Sequence, residues 1–157
     1  MACLLKGGGG LYNRLSLGAV VLAAGQGSRL GNRPKSLIEL AGIPLIRRQL
    51  IALSGAGVDQ LVVVLGHYAT QIRPFIEDFP ITVVDLSDHP EASQKLSVQQ
   101  GVSALQGKFD AVLVVPSDMP LLGTADYTDL IGAYKKRPEG ARMVRPMVSE
   151  VPGNPVI

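Results

Sequence analysis

The sequence predicts an α/β fold, a mostly parallel sheet with helices on both faces. Three observations carry that expectation. Continuous apolar runs at Ala19 to Ala23, Leu61 to Leu65 and Ala111 to Val115 read as strands covered on both sides. Longer stretches between the strands repeat their apolar residues at helical spacing. Glycines and prolines punctuate many of the junctions. Strands that alternate with helices form parallel sheets, and ligands of such sheets bind at the carboxyl ends of the strands.

Each element has its own justification. The first strand, Ala19 to Ala23, runs into a glycine-rich stretch from Ala23 to Ser36. Leu37 to Leu40 reads as a short strand closed by a turn at Gly42. Pro44 suits the first turn of a helix. In that helix Leu45, Ile46, Gln49, Leu50 and Leu53 share one stripe, and Gly55 and Gly57 end it. Leu61 to Leu65 is the next buried strand, turned by Gly66 and His67. Ala69 to Glu77 has helical spacing, with Pro74 opposing a continuous helix. Ile81 to Val84 is a third strand, and Asp85 to Ser93 is a polar loop. Lys95 to Leu105 reads as a helix with Ser93 as its cap. Ala111 to Val115 leads into Pro116-Ser117-Asp118-Met119-Pro120. A helix from about Asp126 to Lys136 follows. Residues 143–157 read as extended segments broken by Pro146, Pro152 and Pro155. The loops of interest are therefore 24–36, 66–69, 85–97 and 116–122.

Composition narrows the function classes. The chain has 157 residues, one domain's worth at roughly 150 per domain. Residues 1–16 are expected to be a flexible leader, in part an expression artefact, because Gly7 to Gly10 interrupt any apolar run. Residues 17–157 form the expected domain. It ends on an apolar, strand-like fragment, which suggests C-terminal truncation. The formal net charge is +2, too small for a protein that coats nucleic acid. No apolar run approaches the roughly 20 residues of a membrane span. Cys3 is the single cysteine, so no internal disulfide forms and a reducing, cytoplasmic setting is expected.

The stretch Ala23 to Gly31 carries the first chemical signal. Glycines let the backbone turn sharply and approach a ligand closely. Successive backbone N–H groups in such a turn form an anion nest. Arg29 supplies a rigid donor fork and Lys35 a mobile point charge for phosphates. No Gly-Lys-Ser/Thr closes the loop, so it is not a P-loop, and it lacks the spacing of a dinucleotide fingerprint.

Three ordered motifs carry a family resemblance. AAGQGSRLGNRPKSLIELAGIPLI resembles the opening signature of nucleotidyltransferases that activate sugars, isoprenoid precursors or molybdopterin. VVPSDMPLL, Val114 to Leu122, is similar to the Asp-Met-Pro segment of the molybdopterin cytidylyl- and guanylyltransferases. Gly153-Asn154-Pro155-Val156 is similar to that group's Gly-x-Pro motif. The resemblance runs from about Leu17 to Ile157 and points to a MobA-like NTP transferase. It implies a Rossmann-like three-layer α/β/α fold.

The resemblance also implies roles. Ala24, Gly25, Gly27, Ser28 and Arg29 would hold the triphosphate and contribute to base contacts. Lys35 would contact phosphates, and Asp118 would bind Mg²⁺. Ser97 corresponds to a serine that lines the nucleotide pocket. Arg29, Lys35 and Asp118 are the expected catalytic set. Substitution at an α-phosphate needs charge neutralisation, in-line placement and a metal rather than a covalent nucleophile. Gln94, Gln99 and Gln100 are candidates for base edges, Asp85 and Asp88 for a further metal contact, and His67 and Arg145 for substrate contact. The expected partners are an NTP, with CTP favoured over GTP, and a phosphorylated small-molecule acceptor, molybdopterin first. The rivals are a sugar-phosphate or methylerythritol-phosphate nucleotidyltransferase, a nucleotide-binding accessory module without turnover, and a redox domain binding NAD(P).

Overall fold

A computed structural model describes residues 14–26, 31 and 33–157. Cys3, Gly7 to Gly10 and the loop residues Gly27, Ser28 and Arg29 lie outside the described residues.

The first strand, β1, spans Leu17–Ala23, and its burial is nearly complete. The glycine-rich stretch leads to a single 3-10 turn, Lys35–Leu37. The strand expected at Leu37 to Leu40 is shorter, a two-residue β2 at Glu39–Leu40 paired antiparallel with β3 at Ile43–Pro44. The tight turn between them takes positive φ at Ala41 and Gly42. Helix α1, Leu45–Gly55, then buries Leu45, Ile46, Gln49, Leu50, Ala52 and Leu53. Strand β4 is Gln60–Leu65. Pro74 divides the next helical stretch into α2, Ala69–Ile72, and a 3-10 turn at Arg73–Phe75. The missing N–H of proline explains the break. Strand β5 is Thr82–Asp85, and helix α3 is Gln94–Ser103. Ser93 caps α3, its hydroxyl accepting from the Leu96 N–H at 3.2 Å. Strand β6 is Ala111–Pro116 and helix α4 is Thr124–Lys135. A small hairpin of β7, Met147–Val148, and β8, Val151–Pro152, follows.

The main sheet has the order β5-β4-β1-β6, and every pair in it is parallel. Side chains alternate between its faces. Ala19, Val21 and Ala23 join the cluster that includes Ile46, Leu50 and Leu53 of α1 and Tyr127 of α4. Val20, Val62 and Val64 face the other way, with Ala104 and Leu105 at the end of α3 packed against them. Each fully buried aliphatic side chain contributes about 1.5–3 kcal/mol. Gly101 lets α3 lie close to the sheet: a Cβ there would sit 2.3 Å from Val20 and 2.9 Å from Val64.

The apolar end of the chain has a place in this sheet. Val156 bridges antiparallel to Val114 on the open side of β6, and Ile157 is buried. Among the described residues, no helix is long and apolar enough to cross a membrane.

Candidate functional site

Strand order creates the crevice. From β1 the chain fills β4 and β5 on one side, then returns to β6 on the other. The loops leaving β1 and β6 therefore lie side by side at the carboxyl end of the sheet, and a cleft opens between them. Ser117 continues the pairing one step beyond β6, its N–H donating to the Leu22 carbonyl at 3.0 Å.

Two adjoining clefts open at this place. One, of about 170 Å³, is lined by Gly25, Lys35, Ser36, Ser117 and Asp118, with Leu22 at its base. The other, of about 230 Å³, is lined by Ala24, Gly25, Gln94 and Ser97. Gly25 belongs to both, so the described members of the sequence-predicted set meet around one glycine. Among the described residues, a Cβ on Gly25 would meet nothing within 4 Å. The space beside its backbone is open.

Local structure positions each side chain. Buried Pro34 introduces the 3-10 turn, in which Leu37 and Ile38 donate to the carbonyls of Pro34 and Lys35 at 3.0 and 3.1 Å. That turn buries Ser36 and leaves Lys35 half-buried at the cleft wall. Ser97 is buried and donates its hydroxyl to the Ser93 carbonyl at 3.2 Å. Gly66 lets the loop after β4 touch the glycine-rich loop, since a Cβ there would lie 2.7 Å from the Ala24 carbonyl oxygen. Asp118 follows buried Ser117 in the turn between β6 and α4. Lys35 and Asp118 enter no ion pair among the described residues.

A buried polar connection behind Asp118 is absent from the sequence expectations. Gln49 is fully buried, and its amide donates to the Met119 carbonyl at 2.5 Å. The phenol of Tyr127, also fully buried, donates to the Gln49 side-chain oxygen. Burial, with a smaller contribution from the Asp126 charge, pushes the Tyr127 pKa well above the ordinary tyrosine value. The available signal was Gln49 itself, an amide on an otherwise apolar helical stripe.

Other candidates have different roles. Asp85 accepts from the Ser87 N–H at 2.9 Å and pairs with Arg73 at 2.6 Å. The Ser87 bonds, more than Arg73, lower its pKa. Asp85 is thus committed on the outer strand and lines neither cleft, and Asp88 lies in the exposed loop beyond it. His67 is exposed, stands edge-on to Tyr68 at 4.6 Å, and borders a third recess that shares Ala24 and Gly25 with the second cleft. Gln99 and Gln100 are exposed and line neither cleft. Arg145 donates to the Gly153 carbonyl at 3.2 Å, within the C-terminal hairpin.

The donor set bears on metal chemistry. Among the described residues, no three His, Cys, Asp or Glu side chains converge. Among the described residues, Asp118 is the only carboxylate lining the two clefts. One hard oxygen donor suits an ion that keeps several waters and completes its shell with substrate phosphates, as Mg²⁺ does. It does not suit a tetrahedral zinc site.

Residues 19–157 match the family model described as the MobA-like NTP transferase domain. The chain belongs to that family. The MobA-like domain is 39% identical over 118 residues to the bifunctional protein GlmU of Kineococcus radiotolerans, covering 73% of this chain and 24% of that protein. With another GlmU, from Bifidobacterium adolescentis, it shares 31% identity over 141 residues, 86% of this chain and 30% of the relative. The chain thus spans less than a third of the length of these curated relatives. Among solved structures it is similar to a nucleotidyl transferase from Methanothermobacter thermautotroptrophicus. That match has 32% identity and a TM-score of 0.65, and covers 74% of this chain and 57% of the other. The family and the parallel sheet agree with the fold that the sequence motifs imply.

Proposed function

We propose that this MobA-like domain transfers a nucleotidyl group from an NTP to a phosphorylated small-molecule acceptor. An oxygen of the acceptor's phosphate attacks the α-phosphorus. The bond from that phosphorus to the bridging oxygen breaks, and pyrophosphate leaves with the electron pair. The observation that carries this reading is one cleft in which Gly25, Lys35 and Asp118 meet at the carboxyl end of the sheet.

Each residue has a role in that reading. The backbone of Ala24 and Gly25 approaches the nucleotide, and Gly27, Ser28 and Arg29 of the same loop complete the phosphate cradle. Lys35 neutralises charge that builds on the leaving phosphates. Asp118 holds Mg²⁺, which when bound would supply further charge neutralisation. Ser97 borders the nucleoside side of the cleft. The acceptor brings an anionic oxygen of its own, so no strong general base is required.

CTP is the favoured NTP and molybdopterin the favoured acceptor, on the strength of the SDMPLL and GNPV segments. A cytoplasmic setting fits a chain with a single cysteine. A second reading keeps the reaction and changes the acceptor to a sugar phosphate or a methylerythritol phosphate. It is equally compatible with the described cleft, whose charged residues address phosphate and metal rather than the acceptor's organic half.

Titration calorimetry with CTP, GTP, ATP and UTP, each with Mg²⁺, tests the proposal on this chain and on any longer form of it. Selective binding followed by pyrophosphate release with one acceptor class supports it and chooses between the readings. Binding without release for any acceptor indicates an accessory module. No binding of any NTP overturns the proposal.

A further inference from the structure

We infer that Gln49 and Tyr127 are positioning residues that hold the Asp118 turn in its working geometry. The inference rests on the reading of Asp118 as the metal-binding carboxylate. It adds that the aspartate is placed by two buried side chains from the helices behind it.

The backbone of this turn has few bonds of its own. Ser117 donates to Leu22, and Gly123 donates to the Asp126 carboxylate at 2.8 Å. Between these two points, the backbone tether among the described residues is the Met119 carbonyl on Gln49. Pro120 cannot donate a hydrogen bond at all. The peptide joining Met119 to Pro120, one residue past Asp118, is therefore held by one amide on α1.

That amide has a defined orientation. A backbone carbonyl only accepts, so the Gln49 nitrogen must face Met119. The Gln49 oxygen then faces Tyr127, and the phenol must donate to it. The chain of donors runs one way, from Tyr127 on α4 through Gln49 on α1 to Met119. Both side chains are 0% exposed, so water does not replace either bond. A leucine at position 49 would suit the stripe of Ile46, Leu50 and Leu53 and would bury no polar group. The amide is a costly choice for packing alone, and its partner is the residue after Asp118.

Tyr127→Phe and Gln49→Leu test this, since each removes the polar group and keeps most of the volume. The first measurement is amide hydrogen exchange of the protein without nucleotide or metal. Exchange at the Ser117 and Gly123 amides, the hydrogen-bonded pair that brackets the turn, is expected to rise about tenfold in both variants while α1 and β4 keep wild-type protection. Unchanged exchange at Ser117 and Gly123 overturns the inference, whatever the protein's activity. So does a uniform rise across the sheet, which is the mark of a merely structural role. The second measurement is the Mg²⁺ concentration for half-maximal pyrophosphate release at saturating NTP. It is expected to rise about tenfold, with NTP affinity in excess chelator unchanged. Altered exchange with unaltered Mg²⁺ dependence in an active enzyme overturns the link to Asp118. Altered exchange in the variants, with a wild type that releases no pyrophosphate, overturns the proposed function and leaves the tether standing.

Discussion

The two ends of the central sheet use charge in opposite ways. At the amino end, the Asp59 carboxylate accepts from the Leu17 N–H at 2.9 Å and pairs with Arg14 at 2.5 Å. Asp110 accepts from the Ser16 N–H at 2.7 Å. Both aspartates satisfy backbone groups where β1 begins, and both return a backbone N–H of their own to Ser16 or Leu17. At the carboxyl end, Lys35 and Asp118 border an open cleft and make no ion pair with each other or with any described residue. Acids at the first end contribute to folding. The ionic groups at the second end are available to a ligand, and the backbone beneath them is anchored by neutral groups instead.

This contrast predicts that activity and stability separate by end. Asp118→Ala should have the largest effect, a fall of about a thousandfold in kcat/KM for pyrophosphate release, comparable to loss of a principal transition-state contact. Its thermal midpoint should stay within about 2 °C of wild type, because the side chain has no described ionic partner to lose. A drop of many degrees would place Asp118 among the structural acids. Lys35→Ala comes next, at about a hundredfold in kcat/KM. Steady-state kinetics at fixed Mg²⁺ should show the loss while circular dichroism stays unchanged.

Gly25→Ala sharpens the comparison sterically. Among the described residues a methyl there meets nothing, so folding should be normal. NTP affinity measured by calorimetry should fall about tenfold, because the methyl occupies the space beside the nucleotide. Full affinity would mean that the ligand does not approach this backbone.

Asp59→Ala probes the opposite end. It should cost about 1–2 kcal/mol in urea unfolding, through the unpaired Leu17 N–H, with kcat/KM retained. The smallest effect concerns alkaline pH. Tyr127 is held neutral in the folded protein, with its pKa raised above the unfolded value near 10. The stability linked to this group is complete below pH 10. It declines as the pH rises above 10, because the unfolded chain ionises first. The loss by pH 10.5 should be just under about 1 kcal/mol, and Tyr127→Phe should abolish that component of the pH profile.

Much of this molecule is legible in one dimension. Continuous apolar runs located β1, β4 and β6 to within a residue or two, since burial on both faces leaves a strong local pattern. Ser93 announced the start of α3, because a cap acts over three residues. Pro74 announced a break, although not that a 3-10 turn would continue the path. Gly25 and Lys35 are legible from phosphate chemistry in the stretch after the first strand, whereas Ser97 and Asp118 are legible through the family resemblance of their segments. The fate of Asp85 was not legible. A carboxylate at a strand's carboxyl end looks the same in sequence whether it faces a ligand or an arginine such as Arg73.

By itself, then, the sequence determined the alternation of strands and helices, the burial of the central strands and the chemistry of the loops that follow them. Those properties follow from local periodicity, capping and backbone restriction. Only the tertiary structure decided that β6 returns beside β1, and so that the loops bearing Gly25 and Asp118 face one cleft. It also decided that Gln49 reaches Met119, 70 positions away, and Tyr127, 78 positions away. The physical reason is that such contacts depend on how helices and strands pack across the sheet, and no short window of residues records that packing.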